Sequence, residues 1–335
     1  AGVNCCLVLH TRTYDRRIGD NLRDLRNKFD ISQEIKGSDQ RENIARVIAS
    51  MNIDNAEVSK IHAGVLKALE EENVKIDVFT GTSSGSHVAF LSAIGFDSNM
   101  IKNAFDKNIN LLIGKNNDYD LKSYLMSRLF KFDGLRSGYA IEEFYERIGK
   151  EYNIDKIKDI KVPIGIVATD LKREKEVWFT SREIDNSFYE KELKNRINII
   201  DAKIGKVIRA SSSYSVIFDP CFIDEDVYLD GGVFNSTPVN LAKVLGADKV
   251  LAVKFEEKNS LDINHLNIIN IGLKTLDMMS NVISNRIAEE ADVVISIKSQ
   301  SNNLLDITNS ERYFLDGYIA MKNKIKELKK ALEFS

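Results

Sequence analysis

The chain is poor in the residues that many enzyme chemistries rely on. Its 335 residues include 4 His, 3 Cys and 3 Pro. Four scattered histidines and three cysteines without ligand spacing argue against a zinc centre, and no metal is expected. Cys5, Cys6 and Cys221 are odd in number and two are adjacent, so no disulfide framework is implied and a reducing compartment is the expectation. Glycine is thin as well: of 18 Gly, the only adjacent pair is Gly231-Gly232. No charge of one sign dominates. Lys+Arg 47 against Asp+Glu 50 leaves a net charge of −3, which argues against a nucleic-acid partner, since such domains carry a basic excess. No run reaches the 18 or so apolar residues of a membrane span. The apolar start, Val3 to Leu9, lacks the basic flank and length of a secretory signal, and a start at Ala1 suggests a trimmed terminus. These features together point to a soluble, cytoplasmic protein.

What the chain does have is alternation of strand and helix. With 43% hydrophobic residues it has ample material for a core, enough for two ordinary domains or one large α/β domain. Cys5 to Leu9 reads as a short buried strand. The region after it is charged and helical, with Ile18, Leu22, Leu25 and Phe29 on one face and Ile44, Val47, Ile48 and Met51 on another. A further helix carries Val58, Ile61, Val65 and Leu69. Strands are expected at 75–79, 162–169, 176–179, 227–229, 249–255 and 293–297. Helices are expected from His87 through Leu91 and over 203–213, 241–245 and 318–334, with more helix across 97–150. Strands alternating with helices imply a mostly parallel sheet covered on both faces, a three-layer α/β/α sandwich.

Two motifs carry chemistry. Gly81-Thr82-Ser83-Ser84-Gly85 fits G-x-S-x-G, preceded by a strand and followed by a helix. A nucleophile at such a turn needs small neighbours two positions either side, which Gly81 and Gly85 supply. The helix N-terminus that follows aims backbone N–H groups at a developing oxyanion. Asp230-Gly231-Gly232 follows a short strand, and its glycines let the backbone turn at once and another loop approach closely. A carboxylate beside a serine is a weak base at its ordinary pKa of about 3.9, so Asp230 needs burial to serve as one.

Together these segments resemble the patatin-like phospholipase family. Ala63 to Ser86 (AGVLKALEEENVKIDVFTGTSSGS) is similar to its helix-strand-elbow, and Val162 to Leu171 to its mid-chain strand. Ile208 to Pro220 is similar to its R-A-S helix, with Ser215 in place of the usual proline. Tyr228 to Val239 is close to its D-G-G-x-x-x-N-x-P pattern. The resemblance covers about residues 56–335. It implies a Ser–Asp dyad, with Ser83 as nucleophile, Asp230 as base and Gly81, Gly85, Gly231 and Gly232 as motif glycines. It also implies a lipid or acyl-ester substrate met in peripheral contact with a membrane, a helical cap around 97–150, and no cofactor.

One family feature has no counterpart. The glycine-rich oxyanion loop that should precede the helix at Gly64 is replaced by residues 10–55, and the glycines before Gly81 are Gly2, Gly19, Gly37 and Gly64 alone. The chain therefore divides into 1–55, a first strand plus this insertion, and 56–335, the hydrolase domain. Arg12, Arg16 and Lys60 are candidate replacement donors. The same absence leaves a second reading open, a lipid-binding scaffold with the fold but without turnover. A third is a Ser83–Asp230–His265 triad, in the order Ser…Asp…His. His10 ends the first strand. His62 is expected to pack on its helix, and His87, one turn past Ser83, to begin the next. The apolar cluster Tyr124 to Phe132 is expected to cover the core or the site.

Overall fold

A computed structural model of the chain describes residues 5–9, 58–112, 137–184, 196–215, 218–256, 268–298 and 310–333. His10, Arg12, Arg16, His265, the 10–55 insertion and the Tyr124 to Phe132 cluster lie outside them.

Among the described residues nine strands form one sheet: β1 (Cys5–Leu9), β2 (Val78–Thr82), β3 (Ile164–Asp170), β4 (Lys175–Thr180), β5 (Arg196–Ile199), β6 (Cys221–Ile223), β7 (Asp226–Asp230), β8 (Lys249–Glu256) and β9 (Val293–Lys298). The order is β5-β4-β3-β2-β1-β8-β9, with β7 added to β3 and β6 to β7. Parallel pairing runs from β9 through β8, β1 and β2 to β3. The hairpin β3–β4, turning at Lys172 to Glu174, is antiparallel, as are β3–β7 and β6–β7.

Strand periodicity sorts side chains between the two faces. On β3, Ile164, Ile166 and Ala168 enter one core while Val167 enters the other. On β8, Leu251 and Val253 face the first core, and Val250 and Ala252 the second. The first core is closed by α1 (58–71), α2 (Ser84–Ala93), α4 (Tyr139–Glu151), α5 (Ile204–Ser211) and α8 (Ser310–Glu333), with α3 (Ser98–Leu112) contributing Ile101 and Phe105. The second is closed by α6 (Val239–Val244), with Ile287 of α7 (Ile268–Ala288) packed against it. Helices on both faces of a mostly parallel sheet make the α/β/α sandwich that the alternation implies.

Details differ from the periodicity. The strand expected at 75–79 lies at 78–82, because only from Val78 onward do its residues pair with β1 and β3. The helix expected from His87 begins at Ser84. Nine of its ten residues are buried, so it carries no polar stripe by which to mark its start. On α8, Lys322 and Lys329 both reach Glu72, at 2.5 and 2.6 Å.

Candidate active site

The sheet brings the two motifs together through β3. Strand β2 runs parallel to β3 as far as Thr82 beside Val167. There the backbone leaves the sheet, with Ser83 at φ 56 and ψ −128. The next position along β3, Ala168, is taken from the opposite direction by Asp230 at the end of β7. β2 and β7 thus meet head to head on one edge of β3, one ending in the serine and the other in the carboxylate.

Each turn depends on a close approach. A Cβ on Gly81 would overlap the carbonyl oxygen of Gly85 and stand 2.8 Å from the Ser86 nitrogen, so the elbow closes only over glycine. A Cβ on Gly231 would overlap the Val167 carbonyl oxygen and stand 2.9 Å from the Thr82 methyl carbon. The segment after Asp230 is fastened along β2: the Thr82 hydroxyl donates to the Asn235 carbonyl at 2.8 Å, and that of Thr80 to the Pro238 carbonyl at 3.2 Å. The Asn235 amide donates to buried Glu176 at 2.7 Å, tying the loop to β4 as well.

Ser83 and Asp230 are 2% and 4% exposed. The Ser83 N–H donates to the Ser211 hydroxyl at 3.0 Å. Asp230 Oδ1 accepts the Gly232 N–H at 2.7 Å, its N–H donates to the Ser213 carbonyl at 2.9 Å, and its own carbonyl accepts the Thr169 hydroxyl at 2.9 Å. Oδ2 and the Ser83 hydroxyl are the atoms left over, neither with a partner of good geometry. The hydroxyl is nonetheless close enough to favour the charged carboxylate. Burial pushes the Asp230 carboxyl up to about 6 against the opposing pull of that hydroxyl and of the Gly232 N–H. Burial alone thus supplies the basicity that an exposed aspartate lacks.

Backbone strain at Ser83 is expected to show in stability. A non-glycine residue in this region costs about 1–3 kcal/mol. Ser83→Gly is therefore expected to stabilise the fold by about 1 kcal/mol after the added unfolded-state entropy of glycine, and so to raise the urea midpoint. An unchanged or lowered midpoint in urea unfolding speaks against stored strain.

Other candidates fall elsewhere. Lys60 forms an ion pair with Asp106 at 2.6 Å. His87 does not simply start its helix. It is fully buried, its Nδ1 2.8 Å from the Tyr145 hydroxyl and its Nε2 2.8 Å from the Ser212 hydroxyl, and desolvation lowers its pKa to about 3. It is neutral, and both nitrogens are engaged away from Ser83. Cys221 is buried, and its thiol is pushed up to about 11, which leaves it a poor nucleophile. Sequence reasoning missed Ser211 and Ser213, which hold the backbones of Ser83 and Asp230. Their signal was the run Ser211-Ser212-Ser213 at the end of α5.

The family model "Patatin-like phospholipase" matches residues 61–243, more than half of the chain, and spans both the elbow and Asp230. The chain belongs to the patatin-like phospholipase family. Human patatin-like phospholipase domain-containing protein 6 is 24% identical over 205 residues, which cover 61% of this chain but 13% of that protein. "Probable lipid hydrolase 463L" of Invertebrate iridescent virus 6 is 28% identical over 184 residues, 53% of this chain and 57% of that protein. Among solved structures, VipD from Legionella pneumophila aligns with a TM-score of 0.42 at 13% identity, over 81% of this chain and 65% of that one. This patatin-like chain thus spans only a small part of the first of these relatives. No described helix is long and apolar enough to cross a membrane.

Proposed function

We propose that the chain is a serine lipid acyl hydrolase acting on acyl esters of phospholipids or related lipids. The observation that carries this reading is the meeting of β2 and β7 on β3, which leaves the Ser83 hydroxyl and Asp230 Oδ2 as adjacent buried groups without other partners. Family membership supports the substrate class. Ser83 Oγ attacks the ester carbonyl while Asp230 Oδ2 takes its proton. The oxyanion forms beside the N-terminus of α2, and the leaving alcohol departs with the proton from Asp230. Water, deprotonated by the same carboxylate, then releases the fatty acid and frees Ser83. Because long-chain lipids are met in bilayers and micelles, contact with a lipid surface belongs to this reading. So does the assignment of residues 56–335 as the hydrolase domain, with its cap around 97–150.

Hydrolysis of short and long p-nitrophenyl acyl esters tests the proposal. The wild type is expected to turn them over and to be labelled at Ser83 by a fluorophosphonate; Ser83→Ala should do neither. Activity surviving in Ser83→Ala sinks the enzyme reading. An unlabelled, inactive wild type favours the lipid-binding scaffold instead, a reading supported by the pairing of Lys60 with Asp106. The base must be deprotonated to act, and its pKa is raised to about 6. Accordingly kcat/KM is expected to be low at pH 4.5, to rise through about pH 6 and to level off above it. A profile flat from pH 4.5 to 8 would exclude Asp230 as base.

A further inference from the structure

Both partners of the proposed dyad hang from one short turn. At the end of α5, the Ser211 hydroxyl accepts the Ser83 N–H at 3.0 Å and donates to the Val167 carbonyl at 2.7 Å. Two residues on, the Ser213 carbonyl accepts the Asp230 N–H at 2.9 Å, and its hydroxyl donates back to the Arg209 carbonyl at 2.9 Å. Ser212 lies between them and has neither contact. Its hydroxyl meets His87 Nε2 at 2.8 Å, and His87 Nδ1 meets the Tyr145 hydroxyl at 2.8 Å. The imidazole also stands edge-on to the Tyr145 ring, with centroids 5.0 Å apart.

All three side chains are buried, and the ring and both hydroxyls are satisfied by one another. Packing does not require this arrangement. Apolar side chains would fill the same places without three polar groups to pair, whereas each buried hydrogen bond fixes the orientation of the two groups it joins. In either tautomer one imidazole nitrogen donates and the other accepts, so the chain stays complete. What it joins is specific: α2, which starts at the elbow, α4, and the turn that anchors Ser83 and Asp230.

We infer that His87 is a positioning residue, which through Ser212 locks the 211–213 turn to α2 and so holds Ser83 and Asp230 in register. This rests on the Ser83–Asp230 reading above. Because burial keeps the imidazole neutral, the lock does not titrate in the working pH range. A displacement of about 1 Å between reacting groups is enough to slow turnover by about 100-fold.

Two near-isosteric substitutions separate positioning from packing. The amide of His87→Gln reaches the place of Nε2 and keeps the Ser212 contact; that of His87→Asn reaches the place of Nδ1 and keeps only Tyr145. With p-nitrophenyl butyrate, His87→Gln is expected to retain kcat within about threefold. His87→Asn and Ser212→Ala should each lose about 30- to 100-fold in kcat with KM little changed, and the double variant should be no worse than the poorer single one. Thermal midpoints of the Gln and Asn variants should fall by similar amounts, since each breaks one hydrogen bond. Tyr145→Phe, which leaves the Ser212 contact intact, should stay near wild type in kcat. Equal kcat losses in the Gln and Asn variants, or losses that multiply in the double, would overturn the inference and leave His87 a packing residue. If Ser83→Ala still hydrolyses the ester, the dyad reading fails and this inference with it; a flat response across the His87 series with Ser83→Ala inactive removes the inference alone.

Discussion

Replacing Asp230 with asparagine is expected to abolish hydrolysis and, in the same protein, to increase stability. The amide keeps the shape of the side chain and the acceptor for the Gly232 N–H, but it takes no proton from Ser83. Loss of a general base lowers turnover by about 10²–10⁴-fold. The stability gain follows from burial. The folded carboxyl sits at about 6 against 3.8 when exposed, so as pH rises the unfolded chain gives up its proton first. Stability contributed by the protonated group is whole below about pH 4, is lost between about 4 and 6, and stays lost above. The gap corresponds to about 3 kcal/mol, which Asp230→Asn should recover at pH 8 and not at pH 4. Urea unfolding of both proteins at the two pH values measures it. A variant less stable than wild type at pH 8 would mean that the carboxylate is compensated by contacts other than those described.

Gly231→Ala is expected to cripple the site by moving the acid rather than removing it. The added methyl would overlap the Val167 carbonyl oxygen and stand 2.6 Å from the Val167 carbonyl carbon, and both belong to a strand paired on both edges. The central strand is held by its ladders, so the Asp230–Gly231 end of β7 has to give way. Overpacking of this kind costs about 1–3 kcal/mol. The displacement of Asp230 should lower kcat by about 100-fold while fluorophosphonate still labels Ser83, only more slowly. Retention of full kcat would show that β7 can shift without consequence for Asp230.

The elbow was legible in the sequence because its requirement is local: Gly81 and Gly85 are two residues from Ser83, and the strand and helix around them announce themselves. The α/β/α architecture was legible for the same reason, in the alternation of apolar strands with helical periodicity. β5 and β6 were not. Arg196–Ile199 is only half-buried and Cys221–Ile223 is three residues long, and each is made a strand by its partner rather than by its own composition. The alignment of Asp230 with Ala168 is likewise a property of pairing between distant segments. His87 was misjudged because a single histidine in a helix looks alike whether it caps the helix or bridges two buried hydroxyls. Lys60, a candidate oxyanion donor on charge alone, is engaged by Asp106, which no spacing rule reveals.

The head-to-head meeting of β2 and β7 has a consequence for how the protein acquires activity during folding. Both strands depend on β3 as a template, yet β2 precedes β3 in the chain and β7 comes only after β4, β5 and α5. Because a chain is made from its N-terminus, β2 and β3 are available to pair before Asp230 has been added, so during synthesis the β3–β7 ladder should be the later of the two to form. Until it does, Ser83 has its elbow but lacks the carboxylate proposed as its base. A nascent chain arrested short of Asp230 should therefore show helical far-UV ellipticity and no esterase activity.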